Sequence, residues 1–360
     1  MRASLLAHVR EALAHAGFYL SADSAMRPLA FDIVARRDSQ LFIVKVLTNV
    51  DGLNEPVANE LRTIAEFLDA VPLVIGERSS SRDLEDGAVY LRYGVRILTH
   101  HTLDDYLREG VEPLVYAAPG GFYVNLDGER LRGLREERGL SLGDLAQAAG
   151  VSRRAIGMYE EGMGAMVEVA QRLEEFLDEA LVVPYRAFDA PRASEPPVPQ
   201  RDLSELASAF EAAVFKSLRE LGFRVAPTAR SPFSAITRET TVSSEPRSIA
   251  SDDATAPRAR SVITREHIDT VVEDGKPRLV TERVVLTGFA ADHPDAAKRA
   301  AATANLAEVT ESFGVFFVER KTTRVALEGT PVVSREELKK VDEADELLKL
   351  IEERKRQPTR

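Results

Sequence analysis

Arg153, Arg154, Gly157 and Met158 share one side of a short segment whose other side carries Ile156 and Tyr159. Two arginines beside a methionine suit the reading of base edges in a DNA major groove. Arginine forks onto the O6 and N7 of guanine, and an apolar side chain can pack on a thymine methyl. Gly157 contributes no side chain, which allows close approach of the backbone. Ser152 precedes this group and is placed to cap a helix and touch a phosphate. Ser141 occupies the same position before the preceding helix and is followed by Leu142.

The elements that position these residues are read from ERLRGLREERGLSLGDLAQAAGVSRRAIGMYEEG, residues 129–162. A first helix is expected over 129–138, with Leu131 and Leu134 on one apolar stripe. Gly139 stops it, because glycine readily takes the left-handed conformation that follows a helix end. Ser141 caps a second helix, with Asp144 three residues on as a partial capping box. Leu145 and Ala146 face inward, Gly150 makes the turn, and Ser152 caps the third helix. This is the spacing of a helix-turn-helix, in which the last helix lies in the major groove. The same spacing also fits an αα-hairpin used for packing, or a helix-turn-helix that binds protein.

The string G-V-S-x-x-x-I-x-x-Y-E-x-G resembles the Cro/C1 (Xre-like) family. The resemblance implies a partly buried ion pair between Arg135 and Glu160 that locks two helices together. It also implies double-stranded DNA as partner and a homodimer on half-sites about one DNA turn apart. Contact with the transcription machinery would follow from such a role. Family members often carry glutamine after the capping serine, reaching phosphate or base; Leu142 departs from that pattern.

Composition bounds the alternatives. The chain has 360 residues, enough for two or three domains, and 44% hydrophobic residues, ordinary for a globular protein. With no cysteine there is no disulfide, no thiolate metal site and no cysteine nucleophile. The N-terminus (MRASLLAHVREALAHAG) is amphipathic, and no apolar run is long enough to span a bilayer. A cytoplasmic protein without membrane association is expected. The net charge of -11 is unusual for a DNA binder, and residues 125–180 hold seven arginines against twelve acids. Five of those acids (Glu168, Glu174, Glu175, Asp178 and Glu179) fall on the helix after the motif, whereas arginines gather on the first and third helices. Steering depends on the local patch, so few phosphate contacts and modest affinity per subunit are expected.

Residues 1–112 alternate helix and strand in the order α-β-β-α-β-β-α. The strands are FDIVAR, LFIVKVL, PLVIG and VRIL, with helices over 3–16 and 55–70 and a short last helix capped by Thr102. Buried apolar strands between helices indicate an α/β domain. The central domain spans 113–183 and begins with a hairpin turning at Pro119-Gly120-Gly121, whose Tyr116, Phe122 and Tyr123 are expected to pack rather than stack on bases. Proline-rich residues 184–201 read as a linker.

Residues 202–360 then repeat the first pattern. ALAHAGFYL matches SLRELGFRV, IAEFLDAVPLVIGER matches LAEVTESFGVFFVER, and GVRILTHHTL matches GTPVVSREEL. Three blocks in one order point to an internal duplication, the alternative being two unrelated α/β domains. An insertion at about 238–280 separates the copies' strands; its first part is polar, and Asp274-Gly275 marks a hairpin that carries His267.

This order of elements resembles the restriction-endonuclease-like (PD-(D/E)xK) fold. In active members two carboxylates hold a divalent metal and a lysine assists. The matching positions are Asp32, Ile43 and Lys45 in the first copy, and Ser234, Val285 and Thr287 in the second. With isoleucine in place of the second acid, no metal, cofactor or catalytic residue is expected. Asp32 and Lys45 then read as a salt bridge between neighbouring strands. No P-loop, HExxH or GxSxG motif occurs. Over nearly its full length the chain resembles an archaeal family of helix-turn-helix transcriptional regulators. That resemblance rests on FDIVAR…VKVLTNVDGLNE, VPLVIGER, YAAPGGFYVNLDGERLRGLREERGLS and VVLTGF…KRA…GTPVVSREEL. The expected architecture is a Cro/C1-type all-α module between two nuclease-like α/β domains, acting as a sequence-specific regulator. A metal-dependent nuclease targeted by the helix-turn-helix is the alternative.

Overall fold

The computed structural model describes residues 2–23, 26, 29–190, 208–243, 265–269, 278–290 and 295–357. The first part of the chain forms helix α1 (Arg2–His15), strands β1 (Tyr19–Leu20), β2 (Ile33–Arg37) and β3 (Gln40–Asn49), and helix α2 (Glu55–Leu68). Strands β4 (Val71–Arg78), β5 (Ala88–Arg92) and β6 (Val95–Leu98) follow, then helix α3 (His100–Glu109). A hairpin of β7 (Val115–Ala118) and β8 (Gly121–Leu126) leads into helices α4 (Gly128–Glu137), α5 (Leu142–Ala149) and α6 (Arg153–Glu160). Strand β9 (Ala165–Met166), helix α7 (Val167–Leu177) and strand β10 (Val182–Val183) complete that part. The remainder holds α8 (Ala209–Glu220), β11 (Arg224–Pro227), β12 (Ala235–Ser243), β13 (Arg265–Asp269) and β14 (Arg278–Phe289). It ends with α9 (Ala296–Val309), β15 (Phe313–Val318), β16 (Ala326–Leu327), β17 (Thr330–Ser334), α10 (Arg335–Leu338) and α11 (Ala344–Arg356).

Two units share the chain in alternate pieces. The first comprises Met1–Phe18, Val44–Ala58 and Val71–Pro196, the second Tyr19–Ile43, Asn59–Ala70 and Pro197–Arg360. Within the first unit β4 runs parallel to β6, and β5 is antiparallel to β6. Val71, Leu73, Val74 and Ile75 of β4 are all buried, as expected of a strand covered on both faces. At Gly76 a Cβ would run into the Val50 side chain, with the Leu47 carbonyl oxygen 3.3 Å away, so a larger residue could enter only with a shift. Strand β5 also pairs in parallel with β7, and β8 carries β9 and β10. The helix-turn-helix segment is therefore hydrogen-bonded into the sheet of this unit through the hairpin. Tyr116 stacks against Tyr123 at 5.9 Å, and Phe122 meets Tyr90 edge-on at 6.2 Å.

Three sequence readings need correction here. Helix α3 is capped by Thr99, whose side chain accepts from the Thr102 backbone N–H; Thr102 lies inside the helix. Strands β1 and β5 go beyond the sequence reading: β1 has only two residues, and β5 is buried only at Ala88 and Val89, which leaves little apolar signal. The expected linker is packed over its first seven residues. Phe188 is buried and stacks on Tyr106 at 3.7 Å, and Arg96 donates to the Ala187 carbonyl at 3.1 Å. Tyr185 and Phe188, between Pro184 and Pro191, are the available signal. Residues 191–201 lie outside the described residues.

In the second unit β1 pairs antiparallel with β2. A separate sheet has the order β11-β12-β14-β15-β17-β16, with β13 beside β14. Its core is phenylalanine-rich: Phe215, Phe223, Phe289, Phe313 and Phe317 pack with Leu347 and Ile351 of α11, a helix the repeat comparison did not include. Glu60 is buried and accepts from the Ala229 and Arg230 backbone N–H groups and from the Ser231 hydroxyl, at 2.8–3.0 Å. Three donors make burial of that carboxylate tolerable. In the expected insertion, β13 and β14 are antiparallel with His267 opposite Val280. The Asp274-Gly275 turn and the His267 side chain lie outside the described residues.

Strand pairs in the two copies correspond: β1/β2 and β11/β12 are both antiparallel. Directions agree as well: β4/β6 and β15/β17 are parallel, β5/β6 and β16/β17 antiparallel. Helices α1 and α8 end alike, with left-handed Gly17 and Gly222 and with Phe18 and Phe223 each donating to the carbonyl five residues back at 3.0 Å.

Candidate nucleic-acid interface

Helix α4 starts at Asp127, whose side chain accepts from the Arg130 N–H at 2.8 Å. Leu131 and Leu134 are buried against Leu145, Ala149, Ile156, Leu173 and Leu177. These apolar positions, three and four residues apart, set how the helices lean together. Gly139 (φ 65°) and Gly150 (φ 70°) supply the left-handed turns after α4 and α5. Ser141 caps α5 with a fully reciprocal box: its hydroxyl accepts from the Asp144 N–H, and the Asp144 carboxylate accepts from the Ser141 N–H and hydroxyl, both at 2.7 Å. Those hydrogen bonds from Ser141, and secondarily the nearby Arg153 charge, hold Asp144 below the usual carboxylate range.

Ser152 caps α6 by accepting from the Ala155 N–H at 3.1 Å. Ile156 and Tyr159 are buried, while Ser152, Arg153, Arg154 and Met158 are exposed. Gly157 opens onto empty space: a Cβ there would meet nothing within 4 Å. The face of α6 is thus a serine hydroxyl, two guanidinium groups, a bare backbone position and a thioether. Arg153 is drawn back over the start of α5, its Nε 3.1 Å from where a Gly143 Cβ would stand. Leu142, half-buried, packs against the core of the three-helix unit and offers no polar group outward. The Ser141 hydroxyl hydrogen is engaged by Asp144, whereas that of Ser152 has no partner among the described residues.

Glu160, at the end of α6, is 4% exposed in its side chain and meets Arg135 Nε at 2.6 Å. Arg132, also on α4, reaches the same carboxylate at 3.3 Å. Burial pushes the Glu160 carboxyl up, but hydrogen bonds from Arg135 and Arg132 outweigh it and leave it below the ordinary glutamate value. Sequence reasoning missed Arg132, although its position three residues before Arg135 places it on the same helix face. It also missed Gly128, where a Cβ would lie 2.6 Å from the Tyr159 and Glu160 carbonyl oxygens. No local pattern announces a contact between residues so far apart in the chain.

The nuclease-like positions are dispersed in character. Asp32 is half-buried just before β2, Ile43 is fully buried in β3, and Lys45 is half-buried two residues further on. In the C-terminal sheet Val285 and Thr287 are buried, and the Ser234 hydroxyl accepts from Arg299 at 2.9 Å. Among the described residues no group of three or more His, Asp or Glu side chains is placed to hold a metal ion, and no helix is long and apolar enough to cross a membrane.

Residues 2–113 match the PD-(D/E)XK superfamily domain, and residues 131–182 match a helix-turn-helix family. The chain is 38% identical over 358 residues, 99% of both chains, to a protein of Haloquadratum walsbyi named "Putative HTH-type transcriptional regulatory protein". Proteins with that description in Natronomonas pharaonis and Methanocella arvoryzae are each 36% identical over 353 residues. The match covers 98% of both chains in the first case, and 97% of this chain and 96% of the relative in the second. No solved structure matches the chain.

Proposed function

The chain belongs to this archaeal family of HTH-type transcriptional regulators, and from that premise we propose that it binds a specific double-stranded DNA sequence through α6. The observation that carries the reading is the outward face of α6, with Arg154 and Met158 exposed beside the open backbone of Gly157. Arg154 reads a base edge, guanine being the best match for its fork. Met158 covers a thymine methyl. Ser152 donates its hydroxyl to a phosphate, and Arg153, held over the N-terminus of α5, reaches the phosphate backbone rather than a base. Ser141 and Leu142 act through the scaffold: one caps α5 and the other fills the core. A single module with so few cations binds weakly, so the active species is a homodimer on two half-sites.

The two nuclease-like sheets are copies of one ancestral domain and serve as scaffold, not as catalysts. Their matching strand pairings and helix ends support the duplication. Burial of Ile43 where a second carboxylate would stand supports the loss of cleavage, since Mg²⁺ held by one carboxylate keeps most of its water. The nuclease reading stays testable because Asp32 and Lys45 remain and residues 2–113 match a nuclease superfamily. Selection of bound fragments from the host genome tests the regulator reading: one recurrent motif supports it. Incubation of supercoiled plasmid and branched DNA with the protein in Mg²⁺ or Mn²⁺ tests the other. Cleavage that disappears in Asp32→Ala would promote the nuclease.

A further inference from the structure

Three of the chain's six histidines meet in the first unit, where α1 packs on α3. His100 is the first residue of α3, His101 follows it, and His8 comes from α1. The His8 and His100 rings are 5.0 Å apart, edge to face, and the His100 and His101 rings are 4.0 Å apart. His8 Nε2 is also 2.8 Å from Asp104 Oδ2, one turn further along α3. The DNA-reading face uses none of these residues.

The cluster is built for neutral rings. His100 Nδ1 is buried and has no hydrogen-bond partner among the described residues. A neutral imidazole can leave that nitrogen as a bare acceptor, whereas the imidazolium must put an N–H there and bury it unmatched. The first turn of α3 also holds both His100 and His101, and the backbone dipole disfavours positive charge at a helix start. The charges that act on His100 come from His101 and Asp104 on α3, His8 on α1 and Glu77 on β4. Of the two carboxylates, Asp104 already has one oxygen on His8, and its other oxygen is buried without a hydrogen bond among the described residues. Asp86, before β5, is engaged by the Thr99 hydroxyl.

We infer that these histidines form an acid-labile clasp, which holds α1 against α3 while His100 is neutral and releases it when His100 takes a proton. A charge on His8 alone is matched by Asp104. A second charge, on His100, stands a ring's width from the first and has no carboxylate in hydrogen-bond reach. Burial above all, then the charges of His101 and His8, hold His100 below the ordinary histidine value in spite of Asp104 and Glu77. Because the folded value lies below the unfolded one, the clasp is at full strength above about pH 6.5. It weakens as pH falls below that.

Hydrogen exchange of the full-length protein without DNA, followed in residues 2–15 and 100–109 at pH 7 and 5.5, tests this independently of the regulator reading. With rates normalised to those of an unfolded chain at each pH, opening of both helices should rise about fivefold on acidification, one proton being worth at most tenfold per pH unit. His100→Phe keeps a ring in place but cannot titrate, and its opening should be the same at both pH values. His101→Gln, at an exposed position, removes one neighbouring charge. In that variant the NMR titration midpoint of His100 should rise from its parental value toward about 6.5, whatever the phenylalanine variant does. Equal opening of the parent at the two pH values overturns the inference. So does a His100→Phe variant as acid-sensitive as the parent, or a His100 midpoint that His101→Gln leaves unmoved.

Discussion

Arg135 and Glu160 meet two-pronged, Nε to Oε1 at 2.6 Å and Nη2 to Oε2 at 3.2 Å, and so join the end of α4 to the end of α6. Both side chains are largely buried, at 15% and 4% exposure, so little water reaches either. Glu160→Ala strands a buried guanidinium and should cost about 3 kcal/mol, the low end for breaking such a pair, because Arg135 keeps some solvent. Thermal or urea unfolding of the variant measures this. An unchanged midpoint would mean that packing alone fixes α6.

Acid should loosen the C-terminal sheet region through Glu337. Burial pushes this carboxyl up, but hydrogen bonds from Arg354 and Ser334 prevail and bring it down to about 2. Because the folded value lies below the unfolded one, the stabilisation is complete above the ordinary glutamate range. It is then lost as pH falls from about 4 toward 2. Arg354→Met should lower stability at neutral pH and shrink its further loss on acidification. Urea midpoints at pH 7, 4 and 3 read both effects. Parallel pH profiles for variant and parent would remove Glu337 from the account.

Gly128 lets the start of α4 lie against the last turn of α6. A methyl group there would press on two backbone carbonyls at 2.6 Å, and backbone cannot rotate away as a side chain can. Gly128→Ala should therefore destabilise by about 1–3 kcal/mol, although alanine normally favours a helix. Gly133→Ala is the control: nothing lies within 4 Å of a Cβ there, and that variant should be neutral or slightly stabilised. Equal behaviour of the two variants would contradict the close approach.

What the sequence makes legible here is what is decided locally. Ser141, Ser152, Gly139 and Gly150 act within a few residues of themselves, so their types and spacing suffice to place α5 and α6. Glu160 with Arg135 was reachable only through family resemblance, since nothing local pairs residues on separate helices. Gly128 was not reachable, because a glycine required by an approaching chain looks like any other. Thr99 and Thr102 were confused because both can cap and they stand three apart, with their hydroxyls 2.9 Å from each other. Phe188 was lost among prolines that read as a tether, although one aromatic is enough to pin a segment when a ring such as Tyr106 receives it.

The proposed division of labour between Arg153 and Arg154 is open to a direct test. Binding of parent, Arg153→Ala and Arg154→Ala to a selected operator and to a copy with one changed base pair, across a salt series, tests it. Arg154→Ala should lose about 1–3 kcal/mol on the operator and discriminate less at one base pair. Arg153→Ala should weaken both DNAs alike and reduce the salt slope by about one. Unchanged operator affinity when both arginines are replaced together, with the fold intact, would contradict the assignment of α6 as the DNA-reading helix.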